Sequence, residues 1–344
     1  MGIFRVILAI AVMFSHMRTS SGETLNLIFG SLTSVRIFFM ISGFYMSLIF
    51  ITKYSHHENG KMLFYSNRAL RLYPTYIAIL ILTMLINDRW IVFNFVDTSM
   101  ASVKFYEPFS NIFILGQDIL MTMGRKPIIG PAWSLGSELT FYLLVPFIIL
   151  KRPFVVGILM AISISFRVYF DVNGYPNVPW NYQFFPSILI FFLLGHLSFI
   201  IYSQIKNLVI SRYLGIAGII FFLAYIAYKS IVYGNFFLPF LNPMVHTAKG
   251  YAFYSAITLF IPFLFLVTKS SKIDRFIGNL SYSIYLLAPV SIHLGETFQS
   301  NFKYLNIHMA ALVTVIIISL CVYFSIEKPI ESIRVKRVRE RASN

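Results

Sequence analysis

The chain has 344 residues, 58% of them hydrophobic and only 12% charged, with a formal net charge of +15 and a mean hydropathy of +0.74. A soluble domain carries about 25% charged residues, so 28 basic and 13 acidic side chains cannot coat a water-soluble body that must also hide 36 Phe and 21 Tyr. Lipid is the expected solvent, and a soluble enzyme, a disulfide-stapled secreted domain and a cysteine-based metal module are excluded, because Cys321 is the single cysteine.

A helix needs ~20 mostly apolar residues to cross a ~30 Å hydrocarbon core. On that ruler the sequence predicts an all-α polytopic membrane protein with ten spans: 2–21, 31–52, 70–87, 133–150, 153–170, 184–203, 212–232, 249–268, 277–295 and 306–326. The apolar run that opens the first is short and resembles a signal-peptide core, but Arg5 interrupts it and no A-x-A cleavage pattern follows. The period-2 alternation of an outer-membrane barrel is missing. A basic loop, 53–71, separates the second and third spans. Segment 88–132 is the longest connection, and within it Asn111–Met123 is apolar apart from Gln117 and Asp118. That stretch is too short to span, and is expected either to lie on the surface or to dip back in. Residues 1–328 form the expected transmembrane domain and 329–344 a basic tail, whose charge suits anionic lipid headgroups rather than nucleic acid.

Lysine and arginine placement orients the chain. With the N-terminus in the cytoplasm, eighteen of the 28 basic residues fall inside, eight outside, and Arg36 and Arg167 within spans. Both termini are therefore expected in the cytoplasm.

An ionisable side chain at mid-span costs roughly 2.5–3.5 kcal/mol on insertion scales, so each one asks for a reason. Arg5 and His16 are eleven residues apart. At ~100° and ~1.5 Å per residue they share a helix face to within about 20° and stand ~16 Å apart. A cation at the cytoplasmic door with an imidazole deep behind it suits transmembrane group transfer; a snorkelling Arg and a helix-end His bonded to a carbonyl is the bland alternative. Arg68 and Arg71, at i and i+3, are neighbours on one face and can grip phosphate oxygens bidentately, or simply anchor the start of a span. In Trp133-Ser-Leu-Gly-Ser-Glu138-Leu-Thr-Phe-Tyr142, Ser134 is a candidate N-cap and Glu138 complements the helix dipole. Ser134, Glu138 and Tyr142 also share a face at i, i+4 and i+8, which lines up hydroxyl, carboxylate and phenol. Arg167 has Asp171 four residues on, as a helix-end ion pair would. His196 and His293 read as bonded or water-facing rather than catalytic, and His56-His57 lacks metal-ligand partners. Arg36, near the outer start of the second span, has no role that spacing identifies. No P-loop, nucleotide-binding glycine fingerprint, D-x-D or H-E-x-x-H pattern is present.

Six segments in chain order then resemble the acyltransferase-3 family of bacterial membrane O-acyltransferases. Arg5 and His16 look like its R-x10-H pair, Phe38-Phe39-Met-Ile-Ser42-Gly43-Phe44 like its F-F-x-x-S-G-[FY] segment, and Arg68-Ala-Leu-Arg71 like its R-x-x-R. Trp133-Ser134-Leu135 with Glu138 and Phe141-Tyr142 resembles the W-S-L-x-x-E-x-x-F-Y block. Gly278-Asn-Leu-Ser281-Tyr282-Ser-Ile-Tyr285-Leu286 and Glu327-Lys328-Pro329 resemble late segments. Two positions depart from the family: Arg36 where an acid is common, and Ala288 where a His is common. The first touches substrate charge preference, and the second leaves more of the burden on His16.

The resemblance implies an acyl-CoA donor, most often acetyl-CoA, reaching a bacterial cytoplasmic membrane protein from inside, with no metal. It implies Arg68 and Arg71, with Arg5, on the donor's phosphates, His16 as base or acyl carrier, and Glu138 orienting or stabilising that imidazole. Trp133, with Ser134, Tyr142 and Arg36, is expected on the side of a carbohydrate acceptor, a surface polysaccharide or lipid-linked glycan. Some members carry a fused hydrolase-like domain; 18 residues follow residue 326 here, so direct acylation or hand-over to a separate acyl-accepting protein outside the membrane is expected. Two rivals stand beside this reading. One is a sugar or lipid transporter, which the lack of internal repeats disfavours. The other is a lipid acyltransferase of a different family built on His293.

Overall fold

The computed structural model describes residues 1–17, 30–86, 101–150, 152–208, 213, 215–221, 224, 248–301 and 307–342. Among them the chain is helical, with turns and no strand. The helices are α1 (Gly2–Ser15), α2 (Ser31–Lys53), α3 (Gly60–Ile86), α4 (Ala101–Phe113), α5 (Gln117–Thr122), α6 (Trp133–Ile148) and α7 (Pro153–Val172). There follow the single turn α8 (Asn177–Trp180), α9 (Phe185–Ile205), α10 (Ala248–Thr268), α11 (Lys272–Asn301) and α12 (Ile307–Val322). A π-helical turn, Tyr323–Glu327, leads from α12 into α13 (Lys328–Ala342).

Five described helices are long and apolar enough to cross a membrane: Ser31–Lys53, Gly60–Ile86, Pro153–Val172, Phe185–Ile205 and the continuous Ile307–Arg337. Of the other expected spans, α1 and Ala252–Thr268 are shorter apolar helices, and α6 has 16 residues. The expected span 212–232 falls mostly outside the described residues, as do 18–21 of the first and 87–100 of the long connection. The protein is thus an all-helical membrane protein over the described residues.

One boundary differs clearly from the apolar ruler. Lys61, Ser66, Asn67, Arg68 and Arg71 are too polar to count toward a span, so the sequence assigns 53–71 to a loop. The structure begins α3 at Gly60, leaving only 54–59 as the connection. At the other end, the expected basic tail is helical as far as Ala342, as α13.

The chain divides into two compact units. The first comprises Met1–Leu48, Arg152–Ile164 and Leu189–Tyr282. Lipid gives helices no hydrophobic reason to pair, so close backbone approach at small residues takes over. Gly43 on α2 and Gly195 on α9 serve this: a Cβ on Gly43 would meet the Phe192 carbonyl oxygen at 2.0 Å, and one on Gly195 the Met40 oxygen at 1.9 Å. Around that crossing, Phe44 packs edge-on against Phe199, Tyr202 and Phe265. The orphan N–H groups that open α1 are satisfied from α11, since the Asp274 carboxylate accepts from Gly2 N–H at 2.8 Å and Ile3 N–H at 3.0 Å. It also pairs with the Met1 ammonium at 2.7 Å. Burial alone would raise Asp274, but these donors outweigh it and hold the carboxyl below its ordinary value.

The second unit comprises Ile49–Lys151, Ser165–Ile188 and Ser283–Asn344. Here the apolar stretch 111–123 buries Ile114, Gln117, Asp118 and Leu120 and leaves Ile112, Phe113, Leu115, Ile119 and Met123 exposed. After α4 the chain turns through Ile114 and Gly116, both at positive φ, and α5 packs against α6. Gly136 on α6 lets it come close, because a Cβ there would meet the Ile114 oxygen at 2.9 Å. Gln117 is fully buried and donates to Tyr76 Oη at 2.9 Å and the Ser110 carbonyl at 3.0 Å. Tyr76 in turn donates to the Asn111 carbonyl at 2.6 Å, so these side-chain donors are satisfied internally, as lipid demands.

Asp118, beside Gln117, is one of the buried groups not fully satisfied, as is the Gln117 side-chain carbonyl oxygen itself. Asp118 is buried, and its Oδ1 has no hydrogen-bond partner among the described residues. Burial pushes the carboxyl from 3.8 up to about 6, against the pull of its own N–H and that of Ile119. A raised folded-state value means the fold favours the neutral acid, so the Asp118 contribution is best below about pH 4 and worsens as pH rises to about 6, by up to about 3 kcal/mol. Thermal unfolding in detergent should therefore show Asp118→Asn gaining stability over wild type as pH rises from 4 to 7. Parallel profiles for the two proteins would contradict this.

Candidate active site

Of the residues singled out in the sequence, Arg5, His16 and Arg36 belong to the first unit, and Arg68, Arg71, Trp133, Ser134, Glu138 and Tyr142 to the second. In the first unit, α1 ends at Ser15 and His16 is its C-cap, still helical at φ −94° and ψ −5°. The eleven-residue spacing from Arg5 thus runs through helical backbone, as the shared-face reading requires. His16 is exposed and Arg5 half-buried. Arg36 lies inside the unit at 2% exposure, its guanidinium 5.6 Å from the Phe191 ring centroid and its Nη1 donating to Tyr254 Oη at 3.4 Å. Its surroundings in the first unit are thus aromatic and phenolic.

The first unit also holds a Ser–His pair. Ser47 Oγ lies 2.9 Å from His196 Nδ1, both groups buried. Ser47 has one proton and gives it to the Gly43 carbonyl at 2.7 Å. The Nδ1–H of His196 must then donate to Ser47, which ties α9 to α2 and leaves no base facing that hydroxyl. His293, the centre of the rival lipid-acyltransferase reading, is exposed rather than buried. In the second unit, Arg167 donates to the Asn181 and Ser187 carbonyls at 3.0 and 2.9 Å, and Asn181 donates to Asp171 at 3.3 Å.

In the second unit, α6 organises a polar row. Its N-terminal turn differs from the expectation. Gly130–Ala132 forms a 3₁₀ turn and Ala132 is already helical at φ −68° and ψ −13°, so Ala132 is the N-cap and Ser134 lies inside the helix. Ser134 Oγ instead turns back to the Pro131 carbonyl at 2.9 Å and meets Tyr285 Oη of α11, also at 2.9 Å. Glu138 is beyond the first turn, too deep for the dipole role. It is held one turn on, where Tyr142 Oη donates to its carboxylate. Tyr285 also feels the Glu138 charge, and Tyr142 that of Arg68 and Arg71.

Two hydrogen-bonded pairs, Ser134 with Tyr285 and Glu138 with Tyr142, therefore form a polar row along α6 that interacts electrostatically with the two arginines of α3. Arg68 is buried at 3% exposure, 5.8 Å from the Phe64 ring centroid and bonded to Tyr54. Arg71, a turn along, is half-buried. Trp133, expected to offer a face to a sugar, is buried and packs edge-to-face on Tyr182 at 4.9 Å. The periodicity of the sequence contains the Ser134, Glu138 and Tyr142 stripe, but Tyr285 enters only as part of a late motif, and no local signal pairs it with Ser134.

Chemically, the row can hold an anion at its arginine end and offer a carboxylate and hydroxyls along its length. Each hydroxyl pair should be worth about 1 kcal/mol. Ser134→Ala and Tyr285→Phe should each lower stability by that order, with the double variant little worse than either single one. Strictly additive losses would contradict the pairing.

Two comparisons bear on this arrangement. An uncharacterized protein of Haemophilus influenzae is 27% identical over 190 residues, covering 50% of this chain and 75% of that protein. No solved structure matches. The family profile described as an acyltransferase domain matches residues 1–326, a stretch that includes every residue of the polar row, and so the chain belongs to the acyltransferase-3 family and is a membrane acyltransferase.

Proposed function

We propose that this protein transfers an acyl group, acetyl in the first instance, from acyl-CoA to a hydroxyl of a surface or lipid-linked carbohydrate at the bacterial cytoplasmic membrane. The observation that carries this reading is the polar row of the second unit, which has two adjacent guanidiniums at one end and neutral hydroxyls at the other. Paired arginines suit the diphosphate of a CoA ester, which they can grip bidentately. Positive-inside counting sets the arginine end toward the cytoplasm, where CoA esters are made.

The chemistry needs a base for a hydroxyl whose free pKa is far above neutral. His16 takes the acceptor proton as the oxygen attacks the thioester carbonyl, the C–S bond breaks, and the same proton returns to the leaving CoA thiolate. Arg5, on the same stripe of α1, adds positive charge on that helix. Glu138, fixed by Tyr142, balances the arginine charge and keeps the row polar in a low-dielectric interior. Ser134 and Tyr285 mark the acceptor end, where Trp133 and Tyr182 shape the wall. Arg36 is assigned a part in acceptor charge preference, because it replaces a common acid of the family.

The test is ester-linked acetate on the surface glycans of cells carrying wild-type protein, His16→Ala or no protein, with membrane levels matched. Loss of a general base costs about 10²–10⁴-fold, so acetate should appear with wild type and fall to the protein-free level with His16→Ala. Equal acetate in all three would overturn the reading and favour a transporter.

A further inference from the structure

The arginine end of the row has a contributor that neither the R-x-x-R spacing nor the role given to the tail includes. α12 runs through the π-helical turn into α13, and α13 packs against α3. Arg337 Nη2 donates to Ser66 Oγ at 3.4 Å, which registers α13 two residues before Arg68. Arg334 is i−3 from Arg337, on the same face. It is half-buried and interacts electrostatically with both Arg71 and Arg68. Its Nε is buried without a hydrogen-bond partner among the described residues. Tyr54 and Glu331 are the other groups that act on it, and Tyr54 also accepts from Asn67 Nδ2 at 3.2 Å.

Three guanidiniums gathered in a partly desolvated corner repel one another, and the repulsion grows as water leaves. A chain that brings them there from two helices is organised for an anion with more than one phosphoryl group. Arg68, fully buried on α3, suits the phosphates nearest the reacting end of such a ligand. Arg334 arrives from the other helix and is half-buried, which suits a phosphate projecting sideways and nearer to water.

We propose that Arg334 is the third arm of the donor clamp and takes the ribose 3′-phosphate of CoA, while Arg68 and Arg71 take its diphosphate. This rests on the reading of acyl-CoA as donor. It converts part of the basic C-terminal segment from a lipid anchor into a specificity element. An anionic lipid headgroup offers the same phosphoryl chemistry, so the experiment separates the two sources.

The full chain is reconstituted in phosphatidylcholine nanodiscs as wild type, Arg334→Gln and Arg334→Lys, and binding of CoA and of 3′-dephospho-CoA is measured. Wild type should prefer CoA. Loss of a charge-assisted bond should weaken CoA binding about tenfold or more in Arg334→Gln, leave dephospho-CoA binding unchanged and so erase the preference. Arg334→Lys should retain part of it, which separates lost charge from a lost fold. Equal weakening for both nucleotides, or none for either, would overturn the assignment. The lipid source is indicated, and the proposal overturned, if phosphatidylglycerol nanodiscs abolish the Arg334-dependent preference by competition. Wild type that binds neither nucleotide would bring down the acyl-CoA reading itself, a result distinct from failure of Arg334 alone.

Discussion

The hydrogen bond from Tyr142 to Glu138 is the link on which the second unit's chemistry depends. A half-buried carboxylate in a lipid-solvated helix is costly unless a donor meets it. Tyr142 supplies that donor from one turn away on the same helix, so the link survives any movement of neighbouring helices. Its ring also reaches the electrostatic field of Arg68 and Arg71. One phenol thereby joins a carboxylate and two guanidiniums into a row that pairwise packing alone would leave as separate buried charges.

The same demand for internal satisfaction shapes the rest of the protein. Asp274 lends its carboxylate to the opening N–H groups of α1, Gln117 fills the turn after α4, and Ser47 spends its proton on a carbonyl before it meets His196. The last pair shows why proximity of serine and histidine does not make a nucleophile: the direction of the hydrogen bonds decides, and here it points away from catalysis. Asp118 is one of several described residues at which the demand is not fully met, and its carboxyl moves toward the neutral form accordingly.

Much of this was legible in the amino-acid order. The apolar ruler put α7 and α9 within two residues of their observed ends, because both are apolar along their length. The i, i+4 and i+8 spacing on α6 placed Ser134, Glu138 and Tyr142 on one stripe, and the motif order identified the family. The misses share a physical cause. α3 starts ten residues before the apolar run because its first turns carry polar groups that packing tolerates, which a hydropathy count rejects. Ser134 reads as a cap only if the helix begins after it, and the preceding 3₁₀ turn moves that start. The approach of Gly195 to Met40, the pairing of Ser134 with Tyr285 and the electrostatic interaction of Arg334 with Arg71 each join distant stretches of chain, so no local period encodes them.

The central claim is that the polar row serves thioester-dependent acyl transfer, and the most direct measurement is release of free CoA thiol. Purified protein in proteoliposomes would be given acetyl-CoA with a carbohydrate acceptor, and thiol followed alongside acetyl ester on the acceptor. The account predicts thiol and ester appearing one for one with wild type, and both strongly reduced with Glu138→Gln at matched protein. Thiol release no faster than from protein-free liposomes, across a range of acceptor carbohydrates, would contradict it.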